Sequence, residues 1–172
     1  MKKIQAQLFG EIISTNETEA FQLYKKSVFG EPVGQKIQYS LSEAIYLIEK
    51  NKIEVLQKNK ILKSEELLNK LKKIDSRIQL KYFVFKDLRD KGYIVKTALK
   101  FGADFRVYSK GNRPGNTHAK WIVFCEHESK KFSWHEFAAK NRVAHSTKKK
   151  LLIAIVDEES DVSYYEVGWI KT

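Results

Sequence analysis

Apolar and polar residues alternate along "KIQAQLFGEII", residues 3–13, and that period of two predicts a strand. In "TNETEAFQLYKKS" the spacing lengthens to a short helix, with Thr15 or Asn16 available as its N-cap and Gly30 and Pro32 as the punctuation beyond it. "QKIQYS" returns to strand spacing. Ser40 followed by Glu43 forms a capping box ahead of "LSEAIYLIEKNK", whose Ala44, Ile45, Leu47 and Ile48 make one apolar stripe on a helix. "IEVLQKNKILK" predicts a hairpin with "KNK" at its tip, and "SEELLNKLKKID" a helix capped by Ser64.

From about residue 78 the texture changes. "LKYFVFKDLRDKG" places Tyr82, Phe83 and Phe85 in a helix with Leu88, stopped by Gly92 at a C′ position. Strands follow at "YIVKTAL", "ADFRVYS" and "AKWIVFCE". Ser133 with Glu136 opens a further capped helix over "SWHEFAAKNRVAHSTKK". The chain closes with "LLIAIVDE", a turn at "ESD" and "VSYYEVGWIK", a hairpin. The expected class is therefore α/β (α+β). A small N-terminal mixed α/β domain covers 1–77, and a C-terminal domain with a mixed sheet flanked by helices covers 78–172.

Composition narrows the partner. The 172 residues carry 32 Lys and Arg against 21 Asp and Glu, a formal charge of +11. Such an excess suits a polyanion, because neutralising phosphates releases condensed counterions. Cys125 is the single cysteine, so neither a disulfide framework nor a cysteine-based zinc site can be built within the chain. No apolar run approaches membrane length, and the basic residues are scattered rather than gathered on an amphipathic helix. The expectation is a cytoplasmic protein without a membrane role.

Three residues could do chemistry together. Tyr108 ends one predicted strand, His118 opens the next across the polar loop "YSKGNRPGNTH", and Lys149 sits where the last helix hands over to an apolar strand. Cleavage of an RNA phosphodiester by its own 2′-hydroxyl needs a base for the 2′ proton, an acid for the departing 5′ oxygen and a cation for the charge on phosphorus. Histidine can donate near neutral pH and lysine can supply a fixed charge, while tyrosine can serve as the base only where its pKa is lowered by its surroundings. Each also has a plainer reading: an amphipathic strand-end tyrosine, a loop histidine satisfying backbone groups, and one lysine of a solvated run. A rival pattern, Asp104 with Glu128 and Lys130, has the D…ExK form of metal-dependent nucleases. Glu128 and Lys130 fall in a predicted turn beyond "WIVF", which works against convergence on Asp104.

The segments "LKYFVFKDLRDKGYIVKTALKFGADFRVY" and "RVAHSTKKKLLIAIVD" resemble the catalytic domain of archaeal tRNA-splicing endonucleases, with Ala98 where a glycine is usual. The N-terminal third resembles the family more loosely, through "LSEAIYLIEKNKIEV" and "KSEELL". The resemblance implies a nuclease-like C-terminal domain with Tyr108 as general base and His118 as general acid. It selects Lys149, three residues after the serine of "HS", as the cation. It further implies cleavage of precursor tRNA at a bulge–helix–bulge, leaving a 2′,3′-cyclic phosphate and a 5′-hydroxyl, with no cofactor and no metal.

Other roles follow from the same likeness. Arg142, seven residues before Lys149, corresponds to one of a pair of arginines that sandwich a flipped-out bulge base. The second jaw falls by spacing at Tyr164, with Trp169 as the other candidate. Lys110, Arg113 and Lys120 would border the scissile phosphate, or form a generic basic loop. Glu126 and Glu128 in "CEHES" match an acidic loop that docks in a partner subunit, and "VSYYEVGWIK" resembles a dimer contact. The partner would be a second copy or a different endonuclease subunit, in a homotetramer or heterotetramer. A non-catalytic RNA-binding scaffold subunit is the alternative.

Overall fold

The computed structural model describes residues 3–172. The chain divides into two compact units, Met1–Tyr82 and Phe83–Thr172.

In the first unit, strands β1 (Ile4–Phe9), β2 (Ile12–Thr15), β3 (Glu31–Val33), β4 (Lys36–Tyr39), β5 (Ile53–Gln57) and β6 (Lys60–Leu62) form one sheet in the order β3-β4-β2-β1-β5-β6. The expected first strand is a hairpin: the chain turns at Gly10 and Glu11, and Leu8 pairs with Ile13. Helix α1 (Thr18–Ser27) starts later than predicted. Thr15 remains in β2, where its hydroxyl accepts from the Glu17 N–H, and Glu17 is the N-cap. Pro32 lies in β3 at the sheet edge, where the missing N–H costs no ladder bond.

Helix α2 (Leu41–Glu49) forms with the predicted capping box, Ser40 accepting from Glu43 N–H and Glu43 accepting from Ser40 N–H. Between β5 and β6, Lys58 and Asn59 both take positive φ, the backbone that lets a two-residue loop match the twist of its strands. Helix α3 (Ser64–Ile74) has Lys63 rather than Ser64 at its N-cap.

Helix α4 (Ile78–Asp90) contains the division between the units. It ends as expected: Gly92 at φ 90° lets Tyr93 N–H reach Leu88 C=O and Gly92 N–H reach Arg89 C=O, which satisfies the last carbonyls of the helix.

The second unit is built on a sheet of β7 (Ile94–Ala98), β8 (Ala103–Tyr108), β9 (Trp121–His127), β10 (Lys150–Val156) and β11 (Val162–Val167), in the order β11-β10-β9-β8-β7. β9 and β10 are the parallel pair, and helix α5 (Trp134–Ser146), with its Ser133–Glu136 capping box, makes the crossover that parallel pairing requires. α5 packs on β9 and β10. Ala98, Ala103, Ile122, Phe124, Ala144, Leu151 and Ile153 form one buried cluster beneath it, joined by Phe101 from a one-turn 3-10 helix at Leu99–Phe101. Along β8, Asp104, Arg106 and Tyr108 fall on one face by strand alternation, and Phe105 and Val107 on the other.

Candidate active site

The end of α5 places Lys149. Lys148 N–H donates to His145 C=O (3.0 Å) and Lys149 N–H to Ala144 C=O (2.9 Å), the two bonds of a Schellman ending. That ending needs a left-handed residue at C′, and Lys148 supplies it at φ 54° despite its Cβ. Left-handed backbone costs an L-residue about 1 kcal/mol. Lys149 then starts the run into β10, half-buried, with its ammonium donating to Thr147 C=O at 2.8 Å and lying 5.3 Å from the Phe101 ring centroid.

Tyr108 is the last residue of β8 and is 4% exposed. The loop beyond it is folded on itself: Asn112 N–H donates to Ser109 C=O, and Asn116 N–H, Thr117 N–H and the Thr117 hydroxyl all donate to Arg113 C=O. His118 leaves this loop exposed. It does not open the next strand, because pairing resumes at Lys120, whose N–H reaches Val107 C=O, and β9 begins at Trp121. Tyr108, His118 and Lys149 line a single pocket of about 300 Å³ with Phe101, Arg106, Gly115, Asn116, Thr117 and Ala119.

Phe101 and Arg106 were not singled out in the sequence. Arg106 could have been, since it precedes Tyr108 by two on the same strand. Phe101 reaches the pocket from the β7–β8 connection, and its spacing carries no signal.

Arg142 on α5 and Trp169 after β11 line a second pocket of about 460 Å³ with Phe137, Ala138, Asn141 and His145. The Trp169 ring stands 4.3 Å from the His145 ring at 63°. Tyr164 is elsewhere: its hydroxyl donates to Asp87 on α4 at 2.6 Å, and Lys91 lies over its ring. Burial, then that hydrogen bond, hold the Tyr164 hydroxyl well above the ordinary phenol range. Of Trp169 and Tyr164, it is Trp169 that shares this pocket with Arg142.

The basic loop residues do not line the pocket of Tyr108, His118 and Lys149. The Lys110 ammonium lies 5.2 Å from the Tyr93 ring centroid, Lys120 lies 4.3 Å from that of Trp121, and Arg113 is exposed. Glu126 is in β9 rather than in a loop beyond it, and Lys140 of α5 pairs with it at 3.2 Å. Glu128 is exposed, with one carboxylate oxygen accepting from Glu158 N–H.

The D…ExK trio is dispersed. Asp104 is buried and accepts from Cys125 N–H at 2.8 Å, Glu128 is the first residue past the end of β9, and Lys130 is 3.9 Å from Glu136. Among the described residues no group of three His, Cys, Asp or Glu side chains is placed to share a metal ion.

A tyrosine, a histidine and a lysine brought to one pocket from a strand end, a loop and a helix ending form a site for acid–base chemistry on a charged substrate. Residues 78–164 match the family described as tRNA intron endonuclease, catalytic C-terminal domain, and residues 4–68 match its N-terminal domain. The chain belongs to the tRNA intron endonuclease family. It is 44% identical to a tRNA-splicing endonuclease of Thermococcus onnurineus over 98% of this chain and 97% of that protein. It is 45% identical to one of Pyrococcus abyssi over 99% of both. One of Methanothermobacter thermautotrophicus is 38% identical over 98% of this chain and 99% of its own length. Membership makes the chain an endoribonuclease. Among the described residues no helix is long and apolar enough to cross a membrane.

Proposed function

We propose that this endonuclease excises introns from precursor tRNA by a metal-independent transesterification at bulge–helix–bulge junctions. The observation that carries the reading is the shared pocket of Tyr108, His118 and Lys149. Tyr108, acting as its phenolate, takes the proton of the 2′-hydroxyl adjoining the scissile phosphate and becomes the neutral phenol. The 2′ oxygen attacks phosphorus, the bond to the 5′ oxygen breaks, and His118 gives that oxygen its proton. Lys149 offsets the negative charge that accumulates on the non-bridging oxygens in between. The products are a 2′,3′-cyclic phosphate and a 5′-hydroxyl, and no cofactor enters the balance.

Arg142 and Trp169 hold an unstacked bulge base between a guanidinium plane and an aromatic face, with their common pocket in support. Lys110, Arg113 and Lys120 remain exposed on the loop flanking the site and attract the RNA backbone from there. The enzyme acts in the cytoplasm as a tetramer of itself or with a second endonuclease subunit, docked through the acidic turn at Glu128, so that two active sites meet two bulges.

End-labelled bulge–helix–bulge RNA incubated with the protein in excess EDTA tests this. The expected result is cleavage leaving cyclic phosphate ends, abolished in His118→Ala. Cutting that stops in EDTA and returns with magnesium overturns the metal-free mechanism. RNA binding without cleavage under any condition, alone or with a second subunit, leaves a scaffold.

A further inference from the structure

Catalysis by Lys149 requires its ammonium to be in place before charge develops on phosphorus, because preorganised charges stabilise a transition state without reorganising during the reaction. A lysine is poorly suited to this. Its stem has four rotatable bonds, and holding it still costs side-chain entropy. The backbone is already fixed by the Schellman bonds from Lys148 and Lys149, reinforced by the Thr147 hydroxyl, which donates to Val143 C=O and Ala144 C=O. Those bonds leave the side chain free to rotate.

Two contacts hold the side chain. One is the Thr147 carbonyl; the other is the ring of Phe101, within the distance at which an aromatic face attracts a cation. The ring is itself held. Its 3-10 turn closes with Gly102 N–H on Leu99 C=O, and Gly102 takes a positive φ of 68° that side-chain-bearing residues rarely adopt. The ring packs against the same cluster that contains Ala144, the residue whose carbonyl anchors Lys149 N–H. Ring and lysine backbone are therefore tied to one rigid body.

We propose that Phe101 is a positioning residue for Lys149, its ring face holding the ammonium at the pocket wall so that it is already in place when charge develops on phosphorus. This rests on the reading of Lys149 as the charge-stabilising cation. Phe101 touches no reacting atom in this account and acts only through the lysine.

The test is a double-mutant cycle on single-turnover cleavage of bulge–helix–bulge RNA at saturating enzyme. Phe101→Leu is expected to slow cleavage roughly tenfold with RNA affinity within about twofold, and Phe101→Tyr to restore most of the rate. In a Lys149→Ala background Phe101→Leu should have no further effect. Phe101→Met serves as a second apolar replacement should the leucine variant melt early, and thermal melts compare folding across the set. An equal loss from Phe101→Leu in both backgrounds, a loss the tyrosine variant shares, or a loss of affinity alone would overturn the positioning role. A Lys149→Ala enzyme that cleaves at the wild-type rate would instead refute the reading on which the role rests.

Discussion

Each unit contains one helix that delivers the chain into a strand of a parallel pair: α2 into β5, beside β1, and α5 into β10, beside β9. Both helices begin with a serine–glutamate capping box and end with the same two hydrogen bonds. In α2 these run from Asn51 N–H to Ile48 C=O and from Lys52 N–H to Leu47 C=O; in α5 they run from Lys148 to His145 and from Lys149 to Ala144. The left-handed residue is Asn51 at φ 55° in one and Lys148 at φ 54° in the other. A lysine follows in both. Lys52 is exposed, whereas Lys149 is half-buried with Thr147 C=O and the Phe101 ring around its ammonium and Tyr108 and His118 lining the same pocket.

The pair shows that a helix ending does not make a site. The same backbone device aims a lysine in both units, and only the second is brought into one pocket with a tyrosine and a histidine. The capping residues differ in the same sense. Asparagine tolerates left-handed backbone because its short amide can bond locally, while lysine at that position carries strain.

The largest difference should appear in cleavage. Lys149→Ala is expected to slow the chemical step by about 10²- to 10³-fold, the scale seen when one transition-state donor is removed, and Lys52→Ala to leave it within about twofold. Single-turnover assays on the same RNA decide this, and equal effects from the two lysines would erase the contrast.

The two capping boxes should differ next, in stability. Glu43 is 3% exposed, and its two oxygens accept from Gly30 N–H (3.0 Å) and Ser40 N–H (2.9 Å). Glu43→Ala strands two backbone donors in a dry site and should cost about 3 kcal/mol in urea unfolding. Glu136 is exposed, so Glu136→Ala should cost much less.

Glu136 should show its contribution through pH. The Ser133 N–H, then the Ser133 hydroxyl, hold its carboxyl below the ordinary range. A folded pKa below the unfolded one means that the unfolded chain binds more protons in that window. Its stabilisation is therefore complete above the unfolded value near 4.3 and lost as pH falls through the folded one. The stability gap between wild type and Glu136→Gln should close across that acid window and stay constant above it.

The smallest expected effect sharpens the comparison of the endings. Lys148→Gly relieves the left-handed strain and should raise stability by up to about 0.5 kcal/mol after the added freedom of the unfolded chain is deducted, with cleavage retained. Asn51→Gly should change stability by only a few tenths of that unit, because little strain is present to relieve. Thermal denaturation of both variants measures the difference.

Much of this was legible in the chain. The capping boxes at Ser40 and Ser133, the stop at Gly92 and the hairpin at Lys58–Asn59 are local signals, and local hydrogen bonding decides such elements. Boundaries moved where pairing overrode them: Thr15 stayed in β2, Pro32 joined an edge strand, and β9 began after His118 and ran through Glu126. The pattern "GADFRVY", the histidine beyond the loop and the lysine after "HS" pointed to the proposed trio through their resemblance to a family, because nothing in spacing alone distinguishes a strand-end tyrosine that reacts from one that packs.

The sequence by itself determined the element types, the mixed α and β class, the basic surface and the family, since periodicity, capping and charge are properties of neighbouring residues or of their sum. Tertiary structure alone decided the company each side chain keeps. It put Trp169 rather than Tyr164 in one pocket with Arg142, turned Tyr164 to Asp87 and Glu126 to Lys140, and brought Phe101 to Lys149. The physical reason is that sheet register and helix packing join residues far apart in the chain, and no local pattern encodes which of two exposed-looking aromatics or carboxylates will meet a partner there.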